Sequence, residues 1–444
     1  MIMVPAGASA FTASDYAQRL RVSLGLSAQE PWAADPRSAD VLWADSGAMA
    51  LTGYRDGPAL LSPAPLAACA QGAWRTLASL SDGMLDPWFA AYRLLGERAA
   101  LMGLQRNGAV SAGGACRLLR VRDGCIALNL PREDDWRLLP AWLETAVADW
   151  DTVADCVIDR ELAPLLERAR LLGLAAASSV SPPSRVEPWF RLEERGLRRR
   201  SGAPHAPMVL DLGSLWAAPL CTNLLGMLGA RVVKVESEQR LDGARFGPAA
   251  FFDVLNAGKE SVMLDLRTPA GRNSLRSLLA SADIVVESAR PRALEQMGIR
   301  AADLVAAGTG KTWIAITGHG RGTPQRDWIA YGDDAGVAAG FSELLRCRDG
   351  QPVFCADAVA DPLTGLHAAV LAWHGWRSGS GGLFDVSLYA VAAHCAALHV
   401  PVCTATDGGV PVAAPVARPV SLHAAAPGAD TVRVLREFAH GRIV

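Results

Sequence analysis

Met208-Val209-Leu210-Asp211-Leu212 is an aliphatic run, broken at once by Gly213-Ser214-Leu215-Trp216-Ala217-Ala218 and followed by the apolar stretch Pro219 to Leu228. A short apolar run, a break and a longer apolar segment read as one strand, one turn and one helix. The pattern recurs. Arg231 to Glu236, Ser261 to Leu266, Asp283 to Glu287 and Thr312 to Thr317 read as strands, and Pro269 to Ala280 and Ala293 to Ala307 as helices. Such alternation predicts an α/β architecture, a Rossmann-like parallel sheet covered on both faces, whose ligands bind beyond the carboxyl ends of the strands.

Upstream the pattern changes. Residues 1–95 are rich in Ala and Trp with helix-like stretches. Within 96–172, Ala115 to Val121 and Cys125 to Leu130 read as strands around the turn Arg122-Asp123-Gly124, and Trp136 to Trp150 as an amphipathic helix, which predicts a small α+β domain. Residues 173–207, with Ser181-Pro182-Pro183-Ser184 and the basic run Arg198-Arg199-Arg200, read as a linker to the large domain, 208–444.

The 444 residues are 50% hydrophobic and 20% charged, with a net charge of −2, so neither a nucleic-acid surface nor an anionic-membrane surface is indicated. Nine cysteines, none in a Cys-x-x-Cys pair, suit a reducing cytoplasm better than a disulfide framework or a metal cage. Met1 to Ala13 lacks the basic start of a signal peptide, and the uncharged Val386 to Val402, with two histidines and Pro401, reads as a buried helix rather than a membrane span. Arginine supplies nearly all the positive charge, the only lysines being Lys234, Lys259 and Lys311.

The turn after the first strand, with Glu236 ending the next, invites a dinucleotide reading, but it lacks Gly-x-Gly-x-x-Gly, which argues against NAD. His319, in Thr317-Gly318-His319-Gly320-Arg321-Gly322, follows a strand end and is either a general base or a structural residue. In Ala360-Asp361-Pro362-Leu363-Thr364-Gly365, Asp361 precedes an apolar run and a Pro suited to the first helical position. It reads either as an N-cap or as a carboxylate kept ionised at a positive helix end, able to attack an activated acyl group. There is also an internal echo. Asp56-Gly57 stands as far before Gly72 as Asp349-Gly350 before Gly365, and four residues before the final Gly come Ala68 in the first copy and Asp361 in the second.

Several of these segments together resemble the class III CoA-transferases, the family of formyl-CoA transferase, carnitine CoA-transferase and α-methylacyl-CoA racemase. The likeness runs through Val209 to Leu212, Leu228-Gly229-Ala230-Arg231-Val232-Val233-Lys234-Val235-Glu236, Asn256-Ala257-Gly258-Lys259 onward to Gly271-Arg272, Ala282 to Glu287, Ala293 to Gly298, Ala360 to His367 and Phe384-Asp385-Val386-Ser387-Leu388. It implies that Asp361 is the nucleophile, forming an aspartyl-CoA thioester as CoA passes from an acyl-CoA to a free carboxylic acid. It implies CoA as a substrate moiety, no permanently held cofactor or metal, and an interlocked homodimer. It places the CoA contacts at Leu215, Trp216, Lys259, Leu264, Arg267, Ser288 and Ala289. Trp216 stands where the family often has Gln, and Ser288-Ala289 where it has Asn-Phe or Asn-Tyr. The order of units also differs: residues 1–95 resemble a partial large-domain segment without its nucleophile, ahead of the small domain, and Val412 to Phe438 resembles a family C-terminal return. The racemase branch, whose Gly-His-Asp is represented by Gly332-Asp333-Asp334 without the His, and a noncatalytic CoA-binding paralogue are the competing readings.

Overall fold

A computed structural model describes residues 11–199, 206–346, 350–400, 411–420 and 422–439. Arg200, Asp349 and the end of the Val386 to Val402 stretch lie outside the described residues.

The architecture is mixed α/β. Strands β1 (Cys116–Val121), β2 (Gly124–Asn129) and β3 (Ala175–Ser178) form an antiparallel sheet, with Val121 paired to Gly124 across the expected hairpin. Strands β4 (Arg191–Glu194), β5 (Met208–Leu212), β6 (Arg231–Ser237), β7 (Glu260–Leu264), β8 (Ile284–Glu287), β9 (Thr312–Thr317) and β10 (Gly382–Ser387) form a second sheet in the order β4-β10-β9-β8-β5-β6-β7. It is parallel except for β4, which runs antiparallel on the edge beside β10. The stretch read as a linker therefore gives one strand to each sheet. Successive side chains on a strand face opposite ways, so Val209 enters one core and Leu210 the other, as a sheet covered on both faces requires.

Two expected helices are broken. Ala293 to Ala307 divides into Pro291–Glu295 and Ala301–Ala307, with Gly298 between them at φ 69°. Trp136 to Trp150 is instead Glu133–Leu143, stopped where Glu144 turns left-handed and its N–H bonds Pro140 O, and then Trp150–Val157.

The chain runs β5, β6 and β7 outward in one direction and returns to place β8 on the other side of β5. That reversal opens a crevice at the carboxyl ends of β5 and β8, the usual binding place in such sheets. The Ala360–Ser378 helix, buried over nearly its whole length, packs on Ala217–Met227, on Leu66–Ser79 and on β9. His367 ties it to the N-terminal region. Its Nδ1–H donates to Leu363 O (2.6 Å), so Nε2 accepts from the Tyr16 hydroxyl (2.6 Å), and burial pushes its pKa down to about 3. Among the described residues no helix is long and apolar enough to cross a membrane.

Candidate active site

The turn after β5 is built around buried charge. Asp211 Oδ1 accepts from Gly213 N (2.8 Å), and Oδ2 accepts from Thr222 Oγ1 (2.7 Å) and Lys259 Nζ (2.9 Å). Lys259 also donates to Pro219 O and Asn256 Oδ1 (both 2.9 Å). Burial lowers the lysine to about 8; it opposes ionisation of Asp211 too, but Lys259 and Lys234 hold that carboxyl down at about 2. Next to it, Lys234 pairs with Asp242 (2.9 Å), whose Oδ1 accepts from Leu215 N (2.9 Å). This bonding holds Leu215 at φ 69°, a left-handed conformation unusual for leucine. Lys311 is likewise buried, with Nζ donating to Leu279 O (2.8 Å) and Ala282 O. All three lysines of the chain are thus committed to interior oxygens.

The crevice is a cavity of about 380 Å³. Ser214 and Leu215 after β5, Ser288 and Ala289 after β8, Thr317 and Gly318 at the end of β9, and Leu388 after β10 line it, and Asp361 forms part of the same wall. The helices Ala217–Met227, Ala360–Ser378 and Leu388–Ala396 all begin there, so their positive ends converge on it.

Asp361 is not the cap of its helix. The helix begins at Ala360 with Val359 at the N-cap, Asp361 N bonds Ala358 O (2.9 Å), and no side chain caps the first turn. Instead Oδ2 accepts from the backbone N–H of Gly332 (3.0 Å), the first residue of the helix Gly332–Ala338. Gly332 has no alternative there, since a Cβ would sit 2.3 Å from both Asp361 Oδ2 and Ala358 O. Burial, with Asp333 and Asp357 nearby, pushes Asp361 up to about 7 against the pull of Arg98.

The loop that delivers Asp361 is strained and pinned. Ala356 (φ 55°) and Ala358 (φ 44°) are both left-handed, at roughly 1 kcal/mol or more each. Ala356 N donates to Thr52 Oγ1 (3.0 Å), Ala358 N donates to Asp333 Oδ1 (2.9 Å), and Arg98 Nε donates to Asp357 Oδ2 (2.8 Å). Thr52 and Arg98 come from the N-terminal part of the chain, so two distant segments over-determine the loop.

Of the expected CoA contacts, Leu215, Ser288 and Ala289 share the cavity with Asp361. Trp216 is buried behind it, its ring 5.6 Å from Phe251 and 5.3 Å from the Arg98 guanidinium. Lys259 is the interior clamp described above. Leu264 lies in the core on the opposite face of the sheet, and Arg267 is on the surface, paired to Asp265 (3.0 Å). Sequence reading missed the basic rim: Arg132, Arg240, Arg290, Arg292 and Arg326 all line the cavity. Arg132, Arg326 and Arg292 have carboxylate partners, Asp135, Glu295 (2.6 Å) and Asp327 (3.9 Å). Among the described residues Arg240 and Arg290 have none, and burial together with Arg292, Arg132 and Arg240 depresses the Arg290 pKa. Mutually repelling guanidiniums around one opening fit a polyanionic ligand.

Residues 207–436 match the model of CoA-transferase family III. The chain is similar to the succinyl-CoA–D-citramalate CoA-transferase of Chloroflexus aurantiacus, 32% identical over 192 residues that are 41% of this chain and 48% of that protein. It is also similar to the succinate–glutarate CoA-transferase of Agrobacterium fabrum, 32% identical over 40% of this chain and 49% of that protein. A crystal structure of a CaiB/BaiF family protein from Brucella suis is 28% identical over 44% of this chain and 55% of the other, at a TM-score of 0.38. The chain spans about half the length of the curated relatives it matches. With more than half of its residues within the family model, the chain belongs to CoA-transferase family III.

Proposed function

We propose that the protein transfers CoA from an acyl-CoA to a carboxylic acid with Asp361 as nucleophile. The observation that carries this reading is a half-buried carboxylate on the wall of a cavity rimmed by five arginines, among them two with no carboxylate partner among the described residues. CoA carries several phosphates and a neutral pantetheine arm, which matches a basic rim above an interior lined by Leu215, Ala217 and Ala218.

The Asp361 carboxylate attacks the thioester carbonyl of the donor, the C–S bond breaks, and a mixed anhydride and CoA thiolate result. The thiolate attacks the aspartyl carbonyl, forming the aspartyl-CoA thioester and releasing the donor acid as its carboxylate. The acceptor carboxylate then attacks that thioester, and the returning thiolate takes the new acyl group, restoring ionised Asp361. No proton is gained or lost over the cycle, and the thioester bond energy is conserved. The Gly332 N–H, already on Asp361 Oδ2, and the convergent helix N-termini offset negative charge as it develops. The relatives named above act on dicarboxylic acids, which supports an acid of that kind here. The seven described cysteines, all free, suit a reducing cytoplasm. The homodimer implied by the family resemblance is tested by sedimentation.

Incubation with acyl-CoAs, hydroxylamine quenching and peptide mass spectrometry test the reading. A hydroxamate on Asp361 is expected. Exchange of the α-hydrogen of an acyl-CoA with no adduct at Asp361 would refute it.

A further inference from the structure

A second cavity, of about 950 Å³, adjoins the first: Gly320, Gln325 and Trp328 belong to the walls of both. Asp361 lines only the first. The rest of the second wall includes Arg170 of the small unit, Ser178 of β3, the stretch into β4 with Glu187, Pro188 and Phe190, and the carboxyl ends of β9 and β10 through His319 and Tyr389. The Thr317–Gly322 loop between the cavities is held in place. Asp385 accepts from Thr317 Oγ1 (2.9 Å) and Arg321 N (2.7 Å), and Arg321 pairs with Glu287 (3.0 Å).

Two arginines, Arg170 and Arg191, and two carboxylates, Glu187 and Asp385, stand on this wall, and neither carboxylate pairs with Arg170. Asp385 is committed to that loop, and Glu187 and Arg191 are exposed. Arg170 is half-buried, its guanidinium 3.6 Å from the centre of the Trp328 ring, and among the described residues it has no carboxylate partner. Among the described residues its buried Nε has no acceptor and buried His319 Nε2 has no partner, although the imidazole ring packs against Trp328 (5.5 Å) and Tyr389 (5.8 Å). Unsatisfied buried N–H groups on a cation are costly. Stacking on Trp328 occupies the face of the guanidinium and leaves its edge free, which is the geometry for two parallel bonds to a carboxylate.

We propose that this cavity binds the distal carboxylate of the acid substrate, with Arg170 as its principal partner, His319 Nε2 as a second donor, and Trp328 and Tyr389 against the carbon body. The proposal rests on the CoA-transfer reading. Because Arg170 lies outside the wall that carries Asp361, a substrate held there needs a second carboxylate to react. The acid is therefore dicarboxylic, and the volume admits a body longer than that of a short-chain acid.

Calorimetric titration of the Asp361→Asn protein separates binding from chemistry, with suberate and homophthalate as dicarboxylates and octanoate and phenylacetate as single-carboxylate controls. The dicarboxylates are expected to bind at least tenfold more tightly than the controls, Arg170→Gln to erase that advantage, and Arg170→Lys to retain part of it with an unchanged thermal midpoint. Equal affinities for suberate and octanoate, or an Arg170→Gln protein that binds as the parent does, would overturn the site. So would a dicarboxylate that binds through Arg170 but is never converted to a CoA ester by the unsubstituted protein. Failure of the two ideas is distinguishable: a hydroxamate on Asp361 keeps the transfer reading whatever Arg170 does.

Discussion

Two regions of the molecule build the same helix packing, and only one presents a carboxylate to a cavity. Leu66–Ser79 lies on Ala13–Ser23 as Ala360–Ser378 lies on Ala217–Met227. In each pair a glycine admits the first residue of the partner helix: a Cβ on Gly72 would come within 2.6 Å of Ala13 O, and one on Gly365 within 2.8 Å of Ala217 O. The same offset carries helix Ala39–Asp45 onto Gly332–Ala338 and Gly47 (φ 77°) onto Gly340 (φ 96°). It also carries Ala68 onto Asp361 and Ala39 onto Gly332. The shared scaffold therefore does not by itself supply a carboxylate; the second region has one together with the Gly332 N–H that donates to it, and the first region, where Ala39 N bonds Phe11 O, has neither.

Asp361→Ala makes the second region resemble the first and carries the largest expected effect. Transfer should fall by at least ~10⁴-fold, since the covalent route is lost. Above pH 7 the thermal midpoint should hold or rise, because a carboxylate disfavoured by burial has been removed. Retention of even a hundredth of the parent rate would place the nucleophile elsewhere.

The converse change, Ala68→Asp, puts a carboxylate where Ala68 has no exposed surface. With no N–H comparable to that of Gly332 it should cost about 3–5 kcal/mol in denaturant unfolding and give no second adduct. A stable Ala68→Asp protein labelled at both positions would dissolve the contrast. Gly332→Ala, which copies Ala39, pushes a methyl into Asp361 Oδ2 and Ala358 O. The expected loss is about 1–3 kcal/mol of stability with a fall in kcat of about 100-fold, measured by steady-state kinetics beside thermal melts.

How much of this contrast was legible in the sequence depends on the range of the interaction. Val209, Val233, Val285 and Ile314 announce buried strands because burial on both faces demands aliphatic residues locally. Asp361 stood out through its neighbours Pro362 and Gly365. The basic rim did not, because Arg132 comes from the small unit, Arg290 and Arg292 from one short helix start, and Arg240 and Arg326 from two further segments, each unremarkable among many arginines. Lys259 is a reminder that a conspicuous polar residue can face inward, since spacing does not reveal which side of a turn a side chain takes. The breaks at Glu144 and Gly298 escaped notice because the flanking apolar residues continue the helical pattern on either side. Gly332, beside two aspartates, offered the one local sign that a backbone N–H was being kept clear.

Protonation gives a gentler test. With Asp361 at about 7, the attacking ionised form is depleted below that value, so kcat/KM should fall about tenfold per pH unit from pH 6 to 5 and level off above about pH 8. Stability should run the other way. A carboxyl whose folded value is raised favours folding most at low pH, and that contribution is lost as pH rises from the unfolded value near 4 through about 7. Asp333, at about 6, and Asp334, at about 7, add to the same trend. A flat rate profile between pH 5 and 7 would show that the carboxylate is ionised throughout.

The smallest expected effect lies where the two regions meet. Thr52 belongs to the region without that carboxylate, yet its hydroxyl accepts from Ala356 N in the strained loop ahead of Asp361. Thr52→Val keeps the shape, removes the acceptor and leaves a buried N–H unpaired, at about 1–3 kcal/mol. Because Asp333 and Arg98 still hold the neighbouring residues, the loop should loosen rather than collapse. A several-fold fall in kcat with KM for acyl-CoA unchanged is therefore expected, since the residue touches the presentation of Asp361 and not the cavity wall. An equal change in KM, or none in either constant, would mean that the first region supports only the fold. A fall in kcat alone would make it a brace for the nucleophile it lacks.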